Sequence, residues 1–293
     1  MTVGFIGVGV MGEPMCRNLV TKTEELVVVF DRASEPVARL VDVGAEAAAS
    51  IVEIAERSDV VLLSLPGGPE LAAVAGELLP ALGSGSVVVD LTTAPVDLTR
   101  ELAATAAERG IGWVDAPVAR TRAAAEAGTL AVMVGGDEDQ IERVRPLLAT
   151  FGTDISNCGP VGCGQIAKIM NNYVLFQNVV ALGEAITIAR RSGMDPARLL
   201  EVISTGSGDS FALRNHATKA MLPADFPLRA FSADYARKDL SYGLQLAAEA
   251  GVEVPGGELA DRLLEAVSEA GHGAEYWPVL LKMIDQGRTP QGG

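Results

Sequence analysis

Over the first half of the chain, short β-branched runs alternate with stretches of helical period. Val3–Ile6, Leu26–Phe30, Val60–Leu65, Val87–Leu91, Trp113–Ala116 and Thr129–Val134 are mostly apolar on both alternating positions, as strands buried on both faces must be. Such runs, spaced by amphipathic segments, predict a parallel sheet wrapped by helices. Ser34, ahead of Glu35 and Pro36, is placed to cap the second helix, and Gly44 to end it in a left-handed turn.

The pattern changes at Gly159, Gly162 and Gly164. A helical period then runs from Gln165 to Arg191, and further helices are expected over Pro196–Ser204, Phe231–Glu249, Glu258–Ala270 and Tyr276–Asp285, with no returning strand. The 293 residues, 48% hydrophobic, therefore divide into an α/β domain, 1–161, and an all-helical domain, 162–293, hung on one long helix. That helix carries Val174, Leu175, Val179, Val180 and Ile186, more apolar surface than one small domain covers, which predicts a homodimer or homotetramer. The tail from Gly287 to Gly293 is expected to be disordered.

Charge narrows the partners. With 23 Lys and Arg against 38 Asp and Glu, the formal charge is −15, a field that repels nucleic acid and anionic membranes. A small anionic substrate would need local cations inside a cleft. Three cysteines and two histidines (His216 and His272) have no metal-ligand spacing, so neither a metal nor a disulfide framework is expected. The glycine-broken start lacks a basic leader region, and no stretch has the length of a membrane span, which together suggest a cytoplasmic protein.

Gly7, Gly9 and Gly12 form GxGxxG directly after the first strand and at the mouth of a helix. The first glycine permits a tight turn, the second lets backbone approach a pyrophosphate, and the third lets helix and sheet pack closely. Gly7, Val8, Gly9, Val10, Met11 and Gly12 are thus the candidate dinucleotide turn of a Rossmann doubly wound sheet. Asp31, at the end of the second strand, suits the hydroxyls of an adenosine ribose and repels a 2′-phosphate, favouring NAD. The adjoining Arg32 either faces solvent or grips that phosphate, which keeps NADP in view. Leu65 and Pro66, at a strand's carboxyl end, are expected near the nicotinamide.

Five segments, in order and nearly spanning the chain, resemble the β-hydroxyacid dehydrogenase family, whose members include 3-hydroxyisobutyrate, tartronate semialdehyde and sulfolactaldehyde enzymes. They are GFIGVGVMGEPM (core 5–15), DLTTAP (90–95), DAPVARTRAAAEAGTLAVMVGG (115–136), GCGQIAKIMNN (162–172) and RKDL (237–240). The resemblance implies hydride transfer between NAD(H) and a small anionic 3-hydroxy acid or aldehyde, with Lys168 as acid and base. Chemically, a lysine supplies both the proton and the charge that a developing alkoxide needs. Asn172, four residues on, shares its helix face and can orient the ammonium or hold a substrate oxygen. The apolar Ile166, Ala167, Ile169 and Met170 around Lys168 are unlike a solvated helix face. By the same resemblance Thr93 lies near the nicotinamide ribose and Lys238 near cofactor or substrate, although Arg237 and Asp239 could make Lys238 part of an ordinary surface ion pair.

The substrate set implied is Ala119, Arg120, Thr121, Asn171 and Asn172. Many family members read Ser-Gly-Gly where this chain reads Ala119, Arg120, Thr121; the Arg-Thr pair resembles the sulfolactaldehyde enzymes, and an Arg fork suits an oxyanion with several oxygens. Arg120 is the expected anion anchor, and Arg122 is expected to face solvent. Reduction of 3-sulfolactaldehyde to 2,3-dihydroxypropane-1-sulfonate is the first expectation, and 3-hydroxyisobutyrate or a tartronate semialdehyde-type 3-hydroxy carboxylate the second. A non-catalytic NAD sensor or scaffold is the competing class, opposed by the presence of Lys168 and Asn172. Imine reductases share the architecture but typically lack this lysine, and 6-phosphogluconate dehydrogenases are much longer.

Overall fold

A computed structural model describes residues 1–228 and 230–287; the expected disordered tail, beyond Gly287, lies outside the described residues. Contacts divide the chain into two units, 1–168 and 169–293, so this division falls inside the long helix rather than at residue 162.

In the first unit the chain runs β1 (Thr2–Ile6), α1 (Gly12–Lys22), β2 (Leu26–Phe30), α2 (Ser34–Val41), β3 (Glu46–Ala47), α3 (Ile51–Arg57), β4 (Val60–Leu63), α4 (Gly68–Ala81), β5 (Val87–Asp90), α5 (Val96–Ala107) and β6 (Gly112–Asp115). It continues through β7 (Val118–Ala119), α6 (Arg122–Ala127), β8 (Leu130–Gly135), α7 (Glu138–Leu148) and β9 (Gly152–Gly159) into α8 (Cys163–Arg191). The sheet order β3-β2-β1-β4-β5-β6 is parallel throughout. Apart from the exposed β3, each of these strands divides its apolar residues between two helical layers, as a period of two requires. Val27 and Val29, Val60 and Leu62, Val87 and Val89 pack on one face with Met15 and Leu19 of α1. Val28, Val61, Leu63 and Val88 pack on the other with Ile54 of α3 and Leu71 and Leu78 of α4.

Several expectations are corrected. Five strands end or start one or two residues from the expected positions: β1 already begins at Thr2, and Leu65, Leu91, Ala116 and Thr129 lie in the connecting loops. The sheet is mixed: β8 runs antiparallel to β6 and β7, while β9 is parallel to β8. Strands β3, β7 and β9 carry no apolar run and are not visible as strands in the sequence. Ser34 is the first residue of α2 and its side chain makes no cap; the Ala33 amide instead donates to Asp31 Oδ1 at 2.8 Å. Gly44 does take a positive φ, 114°.

The second unit is helical: the rest of α8, then α9 (Pro196–Ser204), a π-helical segment (Leu213–Met221), α10 (Ala233–Glu249), α11 (Pro255–Glu269), a 3-10 turn (Trp277–Leu280) and α12 (Leu281–Asp285). Ser232 caps α10 by accepting from the Tyr235 amide, so this helix starts two residues after Phe231, and Pro255 starts α11 earlier than expected. The expected helix from Tyr276 is broken into the 3-10 turn and α12. Phe176, Val179 and Ile186 of α8 pack with Leu240, Leu263, Trp277 and Leu280. Among the described residues, no helix is long and apolar enough to cross a membrane.

Candidate active site

The three motif glycines answer to different physical needs. Gly7 takes φ 91°, a left-handed conformation that a side chain strains. At Gly12 an added Cβ would collide with the Gly7 carbonyl oxygen. Gly9 differs, because a Cβ there would meet nothing within 4 Å, and its side faces open space; nothing inside the protein requires a glycine. Beside it, Val10 is 53% exposed, and Met11, at the N-cap of α1, provides no side-chain cap. An open, side-chain-free approach to a helix N-terminus is the surface a pyrophosphate fits.

Asp31 braces this turn. Its Oδ2 accepts the Val8 amide at 2.7 Å while Oδ1 accepts from Ala33. Each carboxylate oxygen retains a further lone pair for a ribose hydroxyl. Arg32 is exposed, and so is Pro66, whereas Leu65 and Thr93 are half-buried.

Next to the turn, at the carboxyl ends of β4, β5 and β6, lies a buried polar network that the sequence reading missed. The Leu65 amide donates to Thr92 Oγ1 at 3.1 Å. Thr92's own amide donates to Asp90 Oδ1 at 2.9 Å. Gln165, fully buried, donates Nε2 to the Thr92 carbonyl at 2.7 Å and accepts the Ala94 amide on Oε1 at 3.2 Å. Asp115 accepts the amides of Gly162 and Gln165 at 2.8 and 2.9 Å, so a carboxylate caps the first turn of α8. Three residues after Gln165 stands Lys168, half-buried. A signal did exist: Asp31, Asp90 and Asp115 each close a strongly apolar strand, where a carboxylate must find donors.

Burial, partly opposed by the hydrogen bonds from Thr92 and reinforced by the charge of Asp115, pushes the Asp90 carboxyl up from 3.8 to about 7. Burial likewise raises Asp115, against the amides of Gly162 and Gln165. Below about pH 7 the folded chain thus holds a proton on Asp90 that the unfolded chain releases above about pH 4, so this group's contribution to stability falls as pH rises through that window. The expected slope is about −1.4 kcal/mol per pH unit between roughly pH 5 and 6.5, and Asp90→Asn should remove it. Denaturant unfolding of both proteins at several pH values reads the slopes; identical slopes would show that Asp90 stays ionised in the folded chain.

The expected anion anchor has a different environment from the one anticipated. Arg120 takes φ 91°, and its Nη2 pairs with Asp154 Oδ2 at 2.6 Å while Nη1 donates to the Thr129 carbonyl at 2.5 Å. The fork is spent on β9 and the loop just before β8, and the side chain is 39% exposed. Ala119 is buried, and Thr121 caps α6 through the Ala124 amide. Arg122 pairs with Glu126 on the surface.

In the second unit, Asn172 is 4% exposed and Asp239 is 3% exposed. Asn172 Nδ2 donates to Asp239 Oδ2 at 2.9 Å, and its Oδ1 accepts from Asn171 Nδ2 at 3.2 Å. Lys238 Nζ lies 3.0 Å from Asp239 Oδ1 and over the rings of Tyr235 and Tyr242. Asp239 is therefore no surface partner: it joins Lys238 to Asn172, and because an ionised carboxylate only accepts, it sets which end of the Asn172 amide faces it. Among the described residues no three His, Cys, Asp or Glu side chains gather to hold a metal.

Residues 2–162 match the NAD binding domain of 6-phosphogluconate dehydrogenase, and residues 162–283 match a family described as the NAD-binding domain of NADP-dependent 3-hydroxyisobutyrate dehydrogenase. The 2-(hydroxymethyl)glutarate dehydrogenase of Eubacterium barkeri is 36% identical over 99% of this chain and 98% of its own. The 3-hydroxyisobutyrate dehydrogenase of Pseudomonas aeruginosa is 34% identical over 92% and 94%. Among solved structures, the 3-hydroxyisobutyrate dehydrogenase of Mycobacterium tuberculosis with L-serine superposes with a TM-score of 0.89 at 31% identity, covering 97% of this chain and 98% of that one.

Proposed function

We propose that this chain, which belongs to the β-hydroxyacid dehydrogenase family, interconverts a small 3-hydroxy carboxylate and its semialdehyde, with Lys168 moving the proton at the substrate oxygen. Membership makes it an oxidoreductase acting on a hydroxyl group with a nicotinamide cofactor. The observation that carries the reading is the seat of Lys168, half-buried on a helix whose first turn Asp115 and Gln165 tie to the strand ends beside the cofactor turn.

NAD, when bound, takes the hydride in oxidation and returns it in reduction. Lys168 Nζ removes the hydroxyl proton in one direction and, as an ammonium, protonates and stabilises the developing alkoxide in the other. Asn172, one turn further along α8, has its amide nitrogen committed to Asp239; its oxygen can accept from an ammonium or a substrate hydroxyl. Asp31 favours NAD over NADP through the ribose hydroxyls. The substrates named for the relatives (2-(hydroxymethyl)glutarate, 3-hydroxyisobutyrate) and the serine in the solved neighbour share a hydroxymethyl group on the carbon that bears a carboxylate, which supports the substrate class.

A second reading, reduction of 3-sulfolactaldehyde, rests on Arg120 and Thr121. It is favoured by the left-handed backbone at Arg120, because strain of this kind collects at ligand clamps. It requires a sulfonate to displace Asp154 from the guanidinium. Initial rates with NAD and NADP across 3-hydroxy carboxylates and propanediol sulfonate test both readings. Arg120→Gly sharpens them, since glycine accepts this φ without strain. On the carboxylate reading, KM for the 3-hydroxy carboxylate stays within about threefold. On the sulfonate reading, losing a charge-assisted contact of about 1.5–3 kcal/mol raises KM for the sulfonate by roughly 10- to 150-fold, with NADH affinity unchanged.

A second copy of the chain is the proposed partner of α8. Asn171, Val174, Asn178, Ala181, Ala185 and Ile188 follow one another at alternating three- and four-residue steps with no charge among them, and Val174 and Ile188 are 55% and 64% exposed. Light scattering that returned only the monomer mass would remove this proposal.

A further inference from the structure

Gln165 holds the backbone on both sides of Thr93. Its Nε2 donates to the carbonyl of Thr92 at 2.7 Å and its Oε1 accepts the amide of Ala94 at 3.2 Å, so one side-chain carboxamide pairs with the loop as a strand backbone would. The same residue is rooted at its other end, where its own amide donates to Asp115 Oδ2 at 2.9 Å. It is fully buried, as are Asp90 and Asp115, and the Gly164 amide beside it also faces Asp115. At Gly164 an added Cβ would lie 2.8 Å from Asp115 Oδ2, so this turn of α8 is packed too closely against β6 to shift.

Lys168 lies one turn beyond Gln165, and residues three apart on a helix are neighbours on its surface. Thr93 lies between the two residues that Gln165 grips. We infer that Gln165 is a positioning residue that fixes Lys168 relative to Thr93, and so sets the proton-transferring lysine against the loop at the nicotinamide side of the cofactor. The inference rests on the acid and base role proposed above for Lys168. Side-chain chemistry explains the residue type. A carboxamide carries a donor and an acceptor at one reach, whereas an ionised carboxylate only accepts and a thioether of similar volume offers neither strongly. Geometry of this kind matters for rate, because a misplacement of about 1 Å can cost on the order of 100-fold.

The test is Gln165→Met, with Gln165→Glu as the second variant should the first fail to fold; Glu keeps the acceptor for Ala94 and loses the donor for Thr92. In the cofactor-free wild type, hydrogen exchange at the Ala94 amide should be slow, and Gln165→Met should speed it by about tenfold or more. In turnover, kcat should fall roughly 10- to 100-fold while KM for the hydroxy acid and the Kd for NADH stay within about threefold. The primary deuterium isotope effect on kcat should rise as hydride transfer becomes the slow step. All rates are compared well below each variant's Tm, where the chain is folded, so that a purely stabilising role would leave kcat and the isotope effect unmoved. Unchanged exchange at Ala94, or a wild-type kcat with fast exchange, overturns the inference while leaving Lys168 in place. A Lys168→Ala variant that still turns over removes the functional reading itself, which is a separate outcome.

Discussion

Lys168→Ala should lower kcat by about 10²- to 10⁴-fold, a loss of roughly 3–5 kcal/mol in transition-state stabilisation, and leave the Kd for NADH within about twofold. In the proposed role the lysine supplies the proton and the charge at the reacting oxygen and does not hold the dinucleotide. Half-buried on the shielded stretch of α8, it is not replaced by bulk water at the same geometry. Lys168→Arg keeps the charge but not an accessible proton transfer, since a guanidinium stays protonated at working pH, and it should recover little of kcat. Steady-state rates together with NADH titration by fluorescence separate the two effects. An alanine variant with more than a tenth of the wild-type rate would contradict the assignment.

Gly9→Val and Gly12→Val should fail in different ways, and the contrast tests the cofactor turn. A side chain at Gly9 meets nothing within 4 Å, so the apo protein should keep its Tm within a few degrees. Its branched methyls then fill the approach to the α1 N-terminus, and affinity for NADH should fall by roughly 100-fold or more, about 2.7 kcal/mol. At Gly12 the first added carbon already runs into the Gly7 carbonyl oxygen, a backbone atom that cannot swing aside. That substitution should destabilise the apo protein by several kcal/mol, on the scale of overpacking and backbone strain. Thermal melts without cofactor and NADH titrations distinguish them. Equal Tm losses at the two positions would show that Gly9, too, serves the fold alone.

Much of the fold is legible in the chain because its signals are local. Five strands of the parallel sheet are runs such as LVVVF and VVLL, whose apolar residues serve both faces and need no partner to be recognised. Strand β9, GTDISNCG, carries one large apolar residue and is mostly exposed or half-buried; it is a strand because β8 offers it hydrogen bonds, and that offer is invisible from within the segment. The antiparallel turn of β8 against β6 has the same origin. At the site, Gly7 and Gly12 are legible because their need for glycine arises within one tight turn. From the sequence alone Asp239 leaves an ordinary surface pair with Lys238 open as an alternative, because its other partner, Asn172, is 67 residues away.

Local periodicity and turn chemistry thus suffice for the α/β and all-helical halves, for the tight glycine turn before α1 and for placing Lys168 and Asn172 on one helix. They cannot say where long polar side chains direct their hydrogen bonds. The sequence shows an Arg120 with a fork suited to an oxyanion; the fold closes β8 and β9 beside it and gives that fork to Asp154 and the Thr129 carbonyl. It shows Gln165 as one polar residue at a helix start, and chain closure across 71 and 73 residues makes it the clamp on the loop around Thr93. The physical reason is common to both: a backbone conformation or an apolar face is specified by a few neighbouring residues, whereas the partner of a buried donor or acceptor exists only after distant segments have packed.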